Sequence, residues 1–197
     1  MKTVILNGSP RKNGDTSILL EKIIPKINGE VKIINTFFEN IMPCIDCRKC
    51  HNSNECALSK NKNDNMSKFY NDLLTADNLI IASPLHYSML TGNLLNFVSR
   101  FQYFFVSKHI RKDVNFSIKK KNGFLILLGG GTTKDFYPVE KVSNLIFRQL
   151  NSSINDIFKY IQTDEFPLKD FEKFENEKKI LFENELNKFI DKINFNY

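Results

Sequence analysis

Thr3-Val4-Ile5-Leu6-Asn7-Gly8-Ser9-Pro10-Arg11-Lys12-Asn13-Gly14-Asp15-Thr16-Ser17 is the stretch that decides how this chain folds. Thr3–Leu6 is β-branched and apolar, as a strand requires, and Asn7-Gly8-Ser9-Pro10 turns the chain. From Asp15 or Thr16 onward, Ile18, Leu19, Ile23, Ile24 and Ile27 recur at helical spacing. The unit is strand, loop, helix, and it repeats. Val31–Ile34 reads as a second strand, Met66–Ala76 as a helix and Asn78–Ser83 as a third, buried strand. A helix runs beyond Gly92 through Leu94, Phe97, Phe101 and Phe104, and Gly123–Leu128 is the fourth strand. A helix from about Val139 to Leu150, a strand near Ile157–Ile161 and an amphipathic helix over Asp170–Ile193 complete the chain.

Strands alternating with helices imply an α/β fold with parallel pairing and helices on both faces. Five strands suit the flavodoxin-like order 2-1-3-4-5, in which ligands sit outside the carboxyl ends of the strands beside strand 1. At 197 residues the chain is expected to form one domain, 1-197, with a cysteine-rich loop at 43-57. The apolar start is too short for a secretion signal, and no stretch is long enough to span a membrane, so a cytoplasmic protein is expected. The formal charge of +6 comes from scattered lysines, and no nucleic-acid-binding signature accompanies it. Neither nucleic acid nor membrane is expected as a partner.

Three loops at the carboxyl ends carry unusual chemistry. In the first, Ser9, Thr16 and Ser17 bring hydroxyls, Arg11 a guanidinium, and Gly14 lets the backbone come close, all before a helix N-terminus. Phosphate needs clustered donors and positive charge, which this loop offers; the plainer reading is a capped strand-to-helix turn. Neither the P-loop nor the G-x-G-x-x-G pattern is present, and strand 2 closes with Asn35 where a dinucleotide fold has an acid, which favours a mononucleotide. After strand 3, Pro84 fixes a turn, and Leu85, His86 and Tyr87 suit a flat ring or ordinary surface packing. Gly129-Gly130-Gly131-Thr132-Thr133 offers backbone access on the other flank.

Gly8-Ser9-Pro10-Arg11-Lys12-Asn13-Gly14-x-Thr16-Ser17 and Ser83-Pro84-Leu85-x-Tyr87, with Gly92, Leu94, Phe97 and Arg100, resemble the NADPH-dependent FMN reductase branch of the flavodoxin-like superfamily. The resemblance implies that Ser9, Arg11, Asn13, Thr16 and Ser17 hold the FMN phosphate. It implies that Pro84, Leu85, His86 and Tyr87 line the isoalloxazine, with Gly130 and Gly131 closing the other side. Where the family usually has Asn this chain has Asp15, whose carboxylate has to turn away from a phosphate. A homo-oligomer is implied as well.

All cysteines fall between Cys44 and Cys56, in the spacing C-x2-C-x2-C-x5-C formed by Cys44, Cys47, Cys50 and Cys56. Disulfides stapling a scaffold would be spread along the chain, so the thiols mark a local site. Ferredoxin-type spacing fits a [4Fe–4S] cluster, free or disulfide-forming cysteines are a second reading, and zinc a third. The combination with the FMN motifs resembles the iron–sulfur flavoproteins. The function expected is an FMN-dependent oxidoreductase, with NAD(P)H as possible donor and a small molecule or protein as redox partner. A cluster-free flavin or quinone reductase and a non-enzymatic electron carrier are the alternatives. No acid–base pair or nucleophile is expected, because flavin does the chemistry.

Overall fold

The computed structural model describes residues 1–132 and 135–195. Five parallel strands lie in the order β2-β1-β3-β4-β5: β1 Lys2–Asn7, β2 Glu30–Asn35, β3 Asn78–Pro84, β4 Lys121–Gly129 and β5 Ser152–Ile161. Helices α1 (Asp15–Ile23), α2 (Tyr70–Thr75), α3 (Gly92–Ser99), α4 (Gln102–Phe105), α5 (Tyr137–Gln149) and α6 (Asn176–Asn194) connect and follow them. The expected order and fold are those found.

Strand periodicity sorts the apolar residues onto two faces. Val4, Leu6, Leu79, Ile81, Leu125 and Leu127 face one way, onto Leu73 of α2, Leu94 and Phe97 of α3 and Phe147 of α5. The alternate residues Ile5, Ile80, Ala82, Phe124, Ile126 and Leu128 face Leu19 and Ile23 of α1 and Leu186 and Phe189 of α6. Nearly every residue of β1, β3 and β4 is buried on one side or the other, so these central strands read as continuous apolar runs. At about 25 cal/mol per Å² of apolar surface removed from water, these two layers are the main source of stability.

Several elements differ in extent from the sequence-based expectation. The helix expected over Met66–Ala76 starts as a 3-10 turn, Met66–Phe69, before α2. The helix beyond Gly92 breaks at Arg100 and Phe101, resumes as α4 and ends in a π-helical segment, Val106–Ile110. Strand β5 begins at Ser152, five residues before Ile157, and carries a bulge: Gly123 pairs with Ile154 while Phe124 pairs with Asp156. Asn155, left between them, accepts from the Gly123 amide through Oδ1 at 3.1 Å. A Cβ on Gly123 would sit 2.4 Å from the Ser153 carbonyl oxygen, so the bulge needs glycine there. The expected tail helix is preceded by a separate 3-10 segment, Leu168–Lys173.

Lys121, first in β4, is only 4% exposed, and its ammonium donates to the carbonyls of Lys119 and Leu150 at 2.8 Å each. Burial, and secondarily the charge of Lys119, push its pKa down from 10.5 to about 8. Between those values the unfolded chain binds a proton that the folded chain does not, so stability rises with pH across that window. The whole rise is on the order of 3 kcal/mol at most. Urea midpoints at pH 7.5 and 9.5 should show Lys121→Met lacking the part of the rise that the wild type has.

Candidate functional site

At the carboxyl end of β1 the chain is held by its neighbours. The Gly8 amide donates to Ala82 O at 2.8 Å, and its carbonyl accepts from the buried Thr91 hydroxyl at 2.8 Å. A Cβ on Gly8 would lie 2.9 Å from Leu94 Cδ2, so only glycine lets α3 approach this closely. The Thr91 amide donates to Ser83 Oγ at 3.3 Å, which joins the loop after β3 to the same point. Thr91 and Ser83 are the joints between the two loops, a role that sequence reasoning did not assign to them.

The loop then curls around Arg11. Ser9 Oγ and Ser17 Oγ both donate to the Arg11 carbonyl at 3.1 Å, and the Arg11 amide donates to Ser9 Oγ at 3.2 Å. Gly14 precedes α1 without a side-chain cap, and a Cβ there would lie 3.0 Å from Arg11 Cβ and 3.2 Å from Arg11 Nε. The first α1 hydrogen bond comes from Ile18 N to Gly14 O. Among the described residues, the amides of Asp15, Thr16 and Ser17 have no acceptor, which leaves the positive end of α1 open under the Arg11 loop. Asp15 turns away: its Oδ1 accepts from Leu168 N at 2.6 Å, tying α1 to the segment after β5. Thr16 is buried, and Asn13 is exposed with no hydrogen bond found for its side chain among the described residues.

After β3, Leu85 N donates to Leu128 O at 2.7 Å, and His86 and Met89 exchange hydrogen bonds of 2.9 and 3.0 Å. Tyr87 and Ser88 between them have φ of 51° and 57°, the left-handed pair of a type I′ turn built without glycine. That turn carries Tyr87 fully out into solvent and leaves His86 exposed, while Pro84 and Leu85 stay half-buried. Across the site, Thr163 N donates to Gly129 O at 3.1 Å and Gln162 N to Gly131 O at 3.2 Å. This fold-back lays the Asp164 carboxylate over Gly130, where a Cβ would be 2.4 Å from Oδ2, while Gly131 faces open space. Thr133 lies outside the described residues.

The cysteine loop wraps one small cavity lined by Cys44, Cys47, Cys50 and Cys56 with Arg100 and Tyr103. All four thiols are free, Cys44 and Cys47 exposed and the others partly covered. Burial pushes the Cys50 thiol pKa up, and repulsion from Cys56, Cys44 and Cys47 adds to it, as expected of crowded sulfurs. Among the described residues no three His, Cys, Asp or Glu side chains converge on a single-ion site. The segment following Gly92 holds the loop in place. Ser99 Oγ accepts from Cys44 N at 2.9 Å, Tyr103 Oη donates to Asn54 O at 2.8 Å, and Arg111 bonds the Asn54 side chain.

Arg100 is the anchor. It is 1% exposed, and its Nη1 donates to Asp64 Oδ1 at 2.8 Å and Met42 O at 3.0 Å, while Nη2 reaches Cys56 Sγ at 3.3 Å. Asp64 is wholly buried. The sequence marked Arg100 only as part of a motif; its partner Asp64 lies 36 residues away, and no local pattern announces it. Helix α3 therefore meets the first loop at its amino end and the cysteine loop just past its carboxyl end, about 12 Å along its axis.

A parallel sheet in this order, with a donor-rich loop beside strand 1 at the switch point, defines the flavodoxin-like class of nucleotide-binding folds. Residues 1–152 match the NADPH-dependent FMN reductase family, and the chain belongs to that family. An iron-sulfur flavoprotein of Clostridioides difficile (strain 630) is 33% identical over 105 residues, covering 51% of this chain and 45% of the relative. One of Methanocaldococcus jannaschii is 24% identical over 132 residues, covering 66% and 62%. These matches span 45% and 62% of the relatives' own lengths, less than two thirds in both cases. The FMN-dependent NADH-azoreductase of Bacillus anthracis str. Ames Ancestor, solved in complex with FMN, superposes with TM-score 0.63 at 16% identity, covering 99% of this chain and 100% of that one. Smu.1420 from Streptococcus mutans UA159 superposes with TM-score 0.63 at 15% identity, covering 98% and 99%. Among the described residues no helix is long and apolar enough to cross a membrane.

Proposed function

We propose that this chain is a single-domain FMN-dependent oxidoreductase whose cysteine loop carries a [4Fe–4S] cluster. The observation that carries the FMN half is the open end of α1: three amides without acceptors, with the Arg11 guanidinium above Gly14. An anion with several oxygens satisfies this donor set, and a phosphate monoester fits it. Ser9, Arg11, Asn13, Thr16 and Ser17 would hold that phosphate. The flat ring would lie between the half-buried Pro84–Leu85 and the open backbone at Gly131, with His86 and Tyr87 at its rim and Gly130 reached past Asp164. When bound, FMN supplies hydride and electron transfer at its ring, so this chain needs only to bind, orient and shield.

Cys44, Cys47, Cys50 and Cys56 line one small cavity, and four thiolates on one short loop fit a cubane cluster that takes one thiolate at each iron. Arg100 Nη2 donates to Cys56 Sγ at 3.3 Å, a hydrogen bond to sulfur of the kind that surrounds cluster ligands. The names of the iron-sulfur flavoprotein relatives support the same assignment. Unpaired thiols also fit a reducing, cytoplasmic setting. A nicotinamide donor and a small-molecule or protein acceptor complete the reading, and the exposed Tyr87 suits contact with a second copy in a homo-oligomer.

Arg11→Ala is expected to weaken FMN binding by about 1.5–3 kcal/mol, the usual worth of a charge-assisted contact. Titrating apoprotein with FMN and with riboflavin reads the phosphate directly. Equal affinity for the two would contradict the assignment of the α1 loop. Steady oxidation of NAD(P)H by the purified protein separates a reductase from a carrier that only exchanges electrons with a protein partner.

A further inference from the structure

At the opposite end of the sheet, where β4 and β5 begin, a cavity of about 590 Å³ is lined by Phe105, Lys108, His109, Lys120, Lys121 and Arg148. Its remaining lining is uncharged and includes Leu145 and Asn151; among the described residues no carboxylate borders it. Four formal positive charges (Lys108, Lys120, Lys121 and Arg148) thus face one space. Among the described residues none of the four forms an ion pair, although Lys119, next in the chain to Lys120, pairs with Asp77 and Lys159 pairs with Glu140. The buried Lys121 ammonium spends two hydrogens on the Lys119 and Leu150 carbonyls, and its third has no protein acceptor among the described residues. Like charges gathered without counter-charge repel, and a bound anion removes that cost.

The cavity also has an apolar wall. The Phe105 and His109 rings lie 4.9 Å apart, and Leu145 is 51% exposed. The volume falls within the range of small-molecule sites. We propose that this cavity binds a small phosphorylated aromatic molecule of the nucleoside diphosphate class, at a site separate from the one beside α1. The phosphates meet Lys120, Lys121 and Arg148, and the base lies against Phe105, His109 and Leu145. Lys121 and Gly129 stand at opposite ends of β4, about 26 Å apart at strand rise. A ligand here is therefore out of reach of the carboxyl-end loops and acts through binding alone, whatever those loops hold.

The test uses the FMN-loaded full chain, titrated calorimetrically with ADP and with inorganic pyrophosphate at about 0.15 M salt, where loose surface attraction is screened. ADP should bind at one site per chain and more tightly than pyrophosphate. Lys120→Ala and Arg148→Ala, both at exposed side chains far from the carboxyl-end loops, should each weaken ADP about tenfold or more with FMN content unchanged. Absence of ADP binding, or ADP binding unaltered in the doubly substituted protein, overturns the site. Pyrophosphate binding as tightly as ADP overturns the aromatic assignment. A short single-stranded oligonucleotide that displaces ADP with higher affinity makes the cavity part of a nucleic-acid face and overturns the small-molecule reading.

Discussion

Arg100→Leu should destabilise the protein by about 3–5 kcal/mol, the cost of leaving a buried charge unpaired. Asp64 is wholly buried and Arg100 nearly so, and their contact of 2.8 Å is a strong ion pair deep in the structure. Taking away the guanidinium strands the Asp64 carboxylate and leaves Met42 O without its donor. It also removes the hydrogen bond at Cys56 Sγ, so the cysteine loop loses an anchor along with the core. Asp64→Asn should cost less, because the amide oxygen still accepts from Arg100. Combining Arg100→Leu with Asp64→Leu should cost less than the sum of the two single changes, since each removes the other's unpaired charge. Urea denaturation of the wild type and these four variants reads these values. A loss below about 1 kcal/mol for Arg100→Leu, typical of a solvated pair, would contradict the buried-anchor account.

Much of the fold was legible because its signals are local. The alternation of Val4 and Leu6 with Ile5, and the same pattern in β3 and β4, follows from burial on both faces of a parallel sheet. The donor-rich loop from Ser9 to Ser17 was legible for the same reason: its residues are neighbours in the chain as well as in space. Features set by tertiary contacts were hidden. The first half of β5, Ser152–Asp156, is mostly polar and becomes strand only by pairing with β4. The break at Arg100 interrupts an apolar helical pattern because the arginine is drawn in by Asp64, far away in sequence. Asp15 could be read as awkward beside a phosphate, but its actual partner, the Leu168 amide, could not. Tyr87 was grouped with Leu85 by adjacency, whereas the left-handed turn at Tyr87 and Ser88 separates the two side chains. Gly130 invited a reading of open backbone, and the loop after β5 brings Asp164 over it.

Replacing any one of Cys44, Cys47, Cys50 or Cys56 by serine should remove most or all of the bound iron while leaving FMN content close to wild type. The two sites draw on different residues: the phosphate loop hangs from β1 and α1, and the cysteine loop from Arg100, Tyr103 and Ser99. A cubane cluster takes one thiolate per corner, so no spare cysteine in this chain can compensate for a lost one. Cys56→Ser should be the most severe for the fold as well, because Arg100 then loses its sulfur partner beneath the loop. Serine variants that keep full iron, or that lose FMN and iron together, would count against two independent sites joined by α3.

The most direct test of the whole account is the iron, acid-labile sulfide and FMN content of wild-type protein purified without oxygen, read together with its visible spectrum. The account predicts about four iron and four sulfide per FMN, with a broad cluster absorbance beneath the flavin bands. Full FMN occupancy with no iron, or zinc filling the cysteine loop, would contradict the cluster and leave a plain flavin reductase.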